Sequence, residues 1–172
     1  MPLELPAAML RSILSYDPGS GLCRWRWRSD RAQNWNSRFA GKIAGAPCGS
    51  QGRWQITIND TRYLRARVAW ALHYGEWPTQ DIDHRDTDNA NDRIDNLRLA
   101  TDAQNLANRA AQSNNTSGFK GVNFDKQTGR WRAKIKAGGK FYDLGRHPTA
   151  ETAAEAYAAA ARRLHGEFAR TE

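Results

Sequence analysis

Apolar residues recur along this chain with two periods, helical and alternating, and the switches between them mark out the elements. In LPAAMLRSILSY, residues 5–16, Met9, Leu10, Ile13 and Leu14 share one side at helical spacing until the turn Asp17-Pro18-Gly19, which predicts a short helix. LCRWRWR, residues 22–28, alternates strictly, as a strand would with Cys23, Trp25 and Trp27 on one face and Arg24, Arg26 and Arg28 on the other. GRWQITINDTRYLR predicts a hairpin turning at Asn59-Asp60, and ARVAWALHYG a helix closed by Gly75 and Pro78. Ile82 and Leu97 to Ala100 are short strand candidates. TDAQNLANRA then opens a helix with a capping box, Thr101 as N-cap and Gln104 three residues on.

The last third repeats the scheme. GRWRAKIKAGGKFYDLGR carries the G-R-W-x-x-x-I pattern of residues 52–58 and predicts a second hairpin, turning at Gly138-Gly139. TAETAAEAYAAAARRLHG predicts a helix with Thr149 as N-cap, acidic Glu151 and Glu155 towards its positive end, Arg162 and Arg163 towards its negative end, and Gly166 as stop. Its stripe of Ala153, Ala156, Tyr157, Ala160 and Leu164 is small enough to lie close on a sheet. The polar, small AQSNNTSG between the two regions has linker composition.

Composition adds bounds. With 172 residues, 40% apolar and 26% charged, the chain has the make-up of one ordinary globular core or two small ones. No apolar run reaches the roughly 18 residues that would span a bilayer, and MPLELPAAMLRSILSY lacks the apolar centre of a secretion signal. A soluble, cytoplasmic protein is therefore expected. Cys23 and Cys48 are too few and too far apart for a four-cysteine zinc site and are both expected to be buried thiols, the alternative being a bridge between them. A net charge of +8 and a pI near 9.9 point to a polyanionic partner. Residues 111–172 hold +5 of that charge, while residues 81–102 are an acidic island with seven of the 18 acidic side chains, all aspartate.

The island is therefore the candidate for chemistry. A hard divalent cation such as Mg²⁺ takes oxygen ligands and keeps several waters, so one carboxylate, one amide oxygen and a substrate phosphate make a sufficient set. The histidine here is His84, directly after Asp83. Neighbours on a strand diverge, which suits in-line attack at phosphorus with the base on the water's side and the metal on the leaving oxygen's side. The alternative is a solvated connection, since Asp and Asn are common turn formers.

Asp83-His84, the run N-D-R-I-D-N-L-R from Asn91 to Arg98, and Gln104-Asn105 with Asn108 one turn on together resemble the HNH nucleases, in particular the phage-type homing endonucleases. YDPGSG, AGKIAG and W-A-L-H-Y-G-E-W-P upstream extend the likeness to roughly residues 10–110. The resemblance implies a ββα-metal core that binds one divalent ion, Mg²⁺ or Mn²⁺, and hydrolyses DNA phosphodiesters. By it, His84 matches the general base, Asp83 and Asn105 the metal ligands, and Asn96 the residue that bonds across the loop and helps hold the histidine. The family's helix equivalent to RARVAWALH commonly begins with a histidine, a position taken here as Arg67. His73, His147 and His165 are expected to be structural or surface groups.

In GRWRAKIKA, alternation puts Trp131, Ala133 and Ile135 on one face and Arg130, Arg132, Lys134 and Lys136 on the other. Such a row of cations can grip DNA in the major groove, or can simply keep an edge strand soluble. Arg24, Arg26 and Arg28, interleaved with aromatics, would suit DNA, but the same alternation marks any half-buried strand, and they are read as its solvated face. The stretch from S-G-F-K-G-V through W-R-A-K-I, L-G and P-T-A-E-T-A-A-E-A-Y to H-G-E-F-A resembles the Apetala-two (ethylene-response-factor-type) DNA-binding domain. That family reads the major groove with a three-stranded sheet backed by one helix. The resemblance makes Arg130, Arg132, Lys134 and Lys136 candidate DNA contacts, with Lys120 and Arg146 as additions.

The expected molecule is α+β: a nuclease module over residues 1–110, a linker over 111–117, and over 118–172 a three-stranded antiparallel sheet packed on one helix. It is expected to act on double-stranded DNA as a monomer or weak dimer, with no membrane and no small-molecule cofactor. The rival expectation is a DNA-binding regulator with an inactive nuclease module.

Overall fold

A computed structural model describes residues 4–49, 52–109, 111 and 115–171 of the chain. The backbone gathers into two compact units, Met1–Leu99 and Ala100–Glu172. The first contains α1 (Ala7–Ile13), β1 (Leu14–Asp17), β2 (Leu22–Trp25), α2 (Gln33–Phe39), β3 (Ala46–Cys48), β4 (Arg53–Ile58), β5 (Thr61–Leu64), α3 (Arg65–Tyr74), β6 (Asp81–His84) and a 3₁₀ turn over Ile94–Asn96, and it runs into β7 (Leu97–Ala100). The second contains α4 (Asp102–Asn108), β8 (Val122–Asp125), β9 (Arg130–Ala137), β10 (Lys140–His147) and α5 (Ala150–His165).

In the first unit β1 pairs with β2, β3-β4-β5 form an antiparallel sheet, and β6 pairs with β7. The hairpin β4–β5 turns where the sequence predicts, with both Asn59 and Asp60 at positive φ, the conformation of a tight two-residue turn. Helix α3 stops at Gly75, whose φ of 85° lets its N–H reach back to the Ala71 carbonyl. Leu10, Leu14, Cys23, Ile56, Ile58 and Val68 form the centre of one core, essentially without solvent exposure. Burial pushes the Cys23 thiol up to about 12, with nearby Asp92 adding to the effect. Both cysteines are free, as expected, but only Cys23 is buried; Cys48, at the end of β3, is partly exposed.

Two expectations fail here. The helix predicted over residues 5–16 ends at Ile13, because Leu14–Asp17 pairs in register with Leu22–Trp25. The strand predicted over residues 22–28 ends at Trp25, so Trp27 is 62% exposed and Arg28 is buried. Beyond Trp25 the side-chain amide of Asn36, from the unforeseen helix α2, bonds both the backbone N–H and the carbonyl of Arg28 and replaces the sheet ladder. Arg24 and Arg26 donate to the Gly41 and Leu14 carbonyls, and Arg28 pairs with Asp30, so all three hold the fold.

In the second unit the strands run β10-β9-β8, antiparallel, with the turn at Gly138-Gly139 as predicted. Thr149 and Thr152 form a capping box at the start of α5, and Ala153, Tyr157, Ala160 and Ala161 face the sheet, where Val122, Ala133 and Ile135 meet them. The approach is close enough that a Cβ on Gly121, at φ 71°, would lie 2.2 Å from the Tyr157 ring. Helix α4 has the predicted capping box and is tied to this unit by Lys120, whose ammonium donates to the Ala107 carbonyl. Of the expected linker, residues 112–114 lie outside those described. Asn115 and Ser117 are folded into a turn that bonds Phe119 and Val122.

Candidate active site and nucleic-acid face

Strand β6 supplies the chemistry-bearing pair, and its two neighbours point apart, as successive strand side chains must. Asp83 turns to Arg98 on β7, whose Nε and second guanidinium nitrogen donate to Oδ2 at 2.8 and 2.7 Å. His84 turns the other way, and its Nε2 lies 2.8 Å from Oδ1 of Asp92. The histidine is 8% exposed and the aspartate 1%.

Asp92 is held from several sides. Its Oδ2 accepts from Nε of Arg65 at 2.5 Å, and its backbone carbonyl accepts from the Tyr16 hydroxyl at 2.7 Å. Arg65, 2% exposed, also donates to the Ala90 carbonyl and stacks on Trp54, its guanidinium carbon 4.4 Å from the ring centroid. Burying these charges costs solvation that only their mutual bonds can offset. A cavity of about 30 Å³ opens on His84, Asn89 and Asp92 against Arg53, Trp54 and Leu64, room enough for a water molecule.

Asn96 bonds across the loop as expected. Its Oδ1 accepts from the Asp86 N–H, its Nδ2 donates to the Asp86 carboxylate and the Asn91 carbonyl, and its own carbonyl accepts from the Arg85 N–H. It thereby fixes the two residues that follow His84. Burial alone would raise the Asp86 carboxyl, but the bonds from Asn91 and Asn96 outweigh it and hold the group below its ordinary range.

Two residues escaped the sequence reading, Asp92 and Arg65. The first was visible only as one aspartate among seven. Arg65 opens α3, and Arg67, two residues further on, bonds Glu4 and the Gln80 and Pro78 carbonyls.

Asp83 and His84 lie in the first unit; Asn105, the other expected ligand, lies on α4 in the second. Among the described residues no three His, Cys, Asp or Glu side chains are gathered as a metal site. A carboxylate and an amide oxygen are hard donors and suit an ion that retains water.

The outward face of β9 carries Arg130, Arg132, Lys134 and Lys136, as alternation predicted. Arg132 is bidentate to Asp143 at 3.1 and 2.6 Å, and Arg146 pairs with Asp125 at 2.7 Å. Phe141, opposite Lys136 in register, is 70% exposed with both lysine ammoniums within 6.0 Å of its ring centre. Trp131 faces inward and meets Phe124 edge-on. Lys120 departs from expectation: half-buried against Ala107, its ammonium is pushed down to about 8 by burial, with Arg170 adding repulsion.

Residues 63–107 match the family model for HNH endonuclease, and residues 117–167 that for the AP2 domain. Protein 3.8 of Escherichia phage T7 is 40% identical over 89 residues, 52% of this chain and 73% of that protein. An uncharacterized HNH endonuclease of Acanthamoeba polyphaga mimivirus is 36% identical over 88 residues, 51% of this chain and 44% of the relative. No solved structure matches the chain significantly. No helix among the described residues is long and apolar enough to cross a membrane.

Proposed function

Given that the chain belongs to the HNH endonucleases and carries an AP2 domain, we propose that it is a divalent-metal-dependent, homing-type endonuclease that cuts double-stranded DNA at a selected site. The observation that carries this reading is the divergence of Asp83 and His84 from adjacent positions of one strand inside the matched segment. His84 takes a proton from the attacking water, and Asn96 keeps the following loop in place. Asp83 and Asn105 are the residues that would hold the cation, Mg²⁺ or Mn²⁺. When bound, that ion would offset charge on the scissile phosphate and the leaving oxygen. Arg130, Arg132, Lys134 and Lys136, with Arg146 beside them, grip the duplex. Residues 1–110 form the catalytic module and 118–172 the gripping one, joined through 111–117, in a cytoplasmic monomer or weak dimer.

One observation favours a second reading. Asp83 is committed to Arg98, as it would be in a DNA-binding regulator whose nuclease module has lost its ion. Incubating the purified full chain with supercoiled plasmid carrying a duplex selected by that chain separates the two. Nicking in Mg²⁺ that stops in EDTA supports the nuclease; binding without nicking in Mg²⁺ or Mn²⁺ supports the regulator.

A further inference from the structure

The geometry points to Asp92, clamped by Arg65, as the positioning residue that fixes the ring orientation and tautomer of His84, with the proton on Nε2 and the basic lone pair on Nδ1; this rests on reading His84 as the general base. An ionised carboxylate only accepts hydrogen bonds, so the 2.8 Å contact requires Nε2 to be the donor. Imidazole then presents Nδ1 as its acceptor atom, and that nitrogen is where a proton taken from water would go. The imidazolium so formed keeps Asp92 as its counter-charge.

Arg65 makes this arrangement usable near a polyanion. Its bond to Oδ2 at 2.5 Å cancels the carboxylate's net charge, so Asp92 can orient the ring without adding repulsion towards a phosphate. Arg65 also prevents rotation of the carboxylate, because its Nε holds Oδ2 while Oδ1 faces the histidine. The guanidinium is itself fixed by Ala90 and Trp54, and the Asp92 backbone by Tyr16. Gly21 adds a steric wall: a Cβ there would lie 2.6 Å from the Asp92 carbonyl carbon. Supports from β1, α3, β4 and the β1–β2 turn thus converge on one carboxylate whose second oxygen meets the imidazole, the logic of a base oriented by a third group.

The test uses the full chain labelled with ¹⁵N-histidine, at about pH 8, above the usual histidine range. The chain has four histidines, so the His84 signals are assigned from spectra of His73→Gln, His147→Gln and His165→Gln. Long-range ¹H–¹⁵N correlations are expected to place the His84 proton on Nε2 alone. A proton on Nδ1, by itself or together with Nε2, overturns the proposal, and this holds without any variant at the pair. Asp92→Asn is then expected to lower the single-turnover cleavage rate by about 10²–10⁴-fold, with DNA affinity changed less than about twofold. A folded variant that cuts at the wild-type rate also overturns it. Where that variant does not fold because Arg65 has lost its counter-charge, Arg65→Gln with Asp92→Asn removes both charges and is judged by the same two readouts. If the wild type cuts no DNA but shows the Nε2–H form, lost in Asp92→Asn, the nuclease reading falls and the orienting role of Asp92 stands.

Discussion

Arg98 and Asp83 face each other from paired strands, two guanidinium nitrogens of the arginine donating to one oxygen of the aspartate at 2.8 and 2.7 Å. The pair is nearly buried, so removing the cation from it should cost about 3–5 kcal/mol. Arg98→Met is predicted to lose that much in urea unfolding without metal. Added Mn²⁺ should raise its unfolding midpoint more than that of the wild type, because a bound ion takes over the lost counter-charge. Equal metal effects in the two proteins would argue that Asp83 binds no ion.

Gly21 is the second point of leverage. At φ 74° it turns the chain between β1 and β2, and a Cβ there would lie 2.5 Å from the Arg93 backbone nitrogen. Gly21→Ala is expected to destabilise by about 2–4 kcal/mol, from backbone strain and overpacking together. Thermal unfolding checks the cost. Cleavage at a temperature where the variant is folded should still be slower, since the wall beside Asp92 has moved.

The cationic face gives a salt-dependent signature. If Lys134 and Lys136 hold phosphates, replacing either by alanine should weaken binding to all sequences alike and reduce the log-affinity against log-salt slope by about 1. Arg132 is already shared with Asp143. Asp143→Ala should therefore tighten binding at low salt and steepen the slope, measured by fluorescence anisotropy at several salt concentrations. An unchanged slope would place these cations away from the backbone.

Lys120 predicts a dependence on pH. Its folded pKa of about 8 lies below the ordinary lysine range, so between those values the unfolded chain binds more protons than the folded one. Stability of the protein should therefore be flat in this respect below about pH 8 and rise above it. Lys120→Met, which keeps the aliphatic stem, should remove the rise. DNA affinity should be unchanged in that variant, because the ammonium is spent on Ala107.

What was legible in the sequence was local. Turn chemistry at Asn59-Asp60, Gly75 and Gly138-Gly139, capping at Thr101 and Thr149, and alternation in β9 each act over a few residues and appear where expected. The pairing of Leu14–Asp17 with Leu22–Trp25 overrode a good helical stripe because strand partners compete with local preference. At the site, Asp83, His84 and Asn96 were singled out by the resemblance to the HNH nucleases. The Arg65–Asp92 bond joins positions 27 residues apart, and an arginine next to an apolar helix carries no mark of the carboxylate it will meet. Lys120 is similar: nothing in F-K-G marks the Ala107 carbonyl that its ammonium meets 13 residues away.

The most direct test is single-turnover cleavage of a DNA duplex bound by the full chain in Mg²⁺, with affinity measured on the same samples, for the wild type and His84→Ala. The expected result is a rate lower by about 10²–10⁴-fold in the variant with affinity nearly intact. Equal rates in the two proteins, or no cleavage by the wild type in Mg²⁺ or Mn²⁺, would contradict hydrolysis by this histidine.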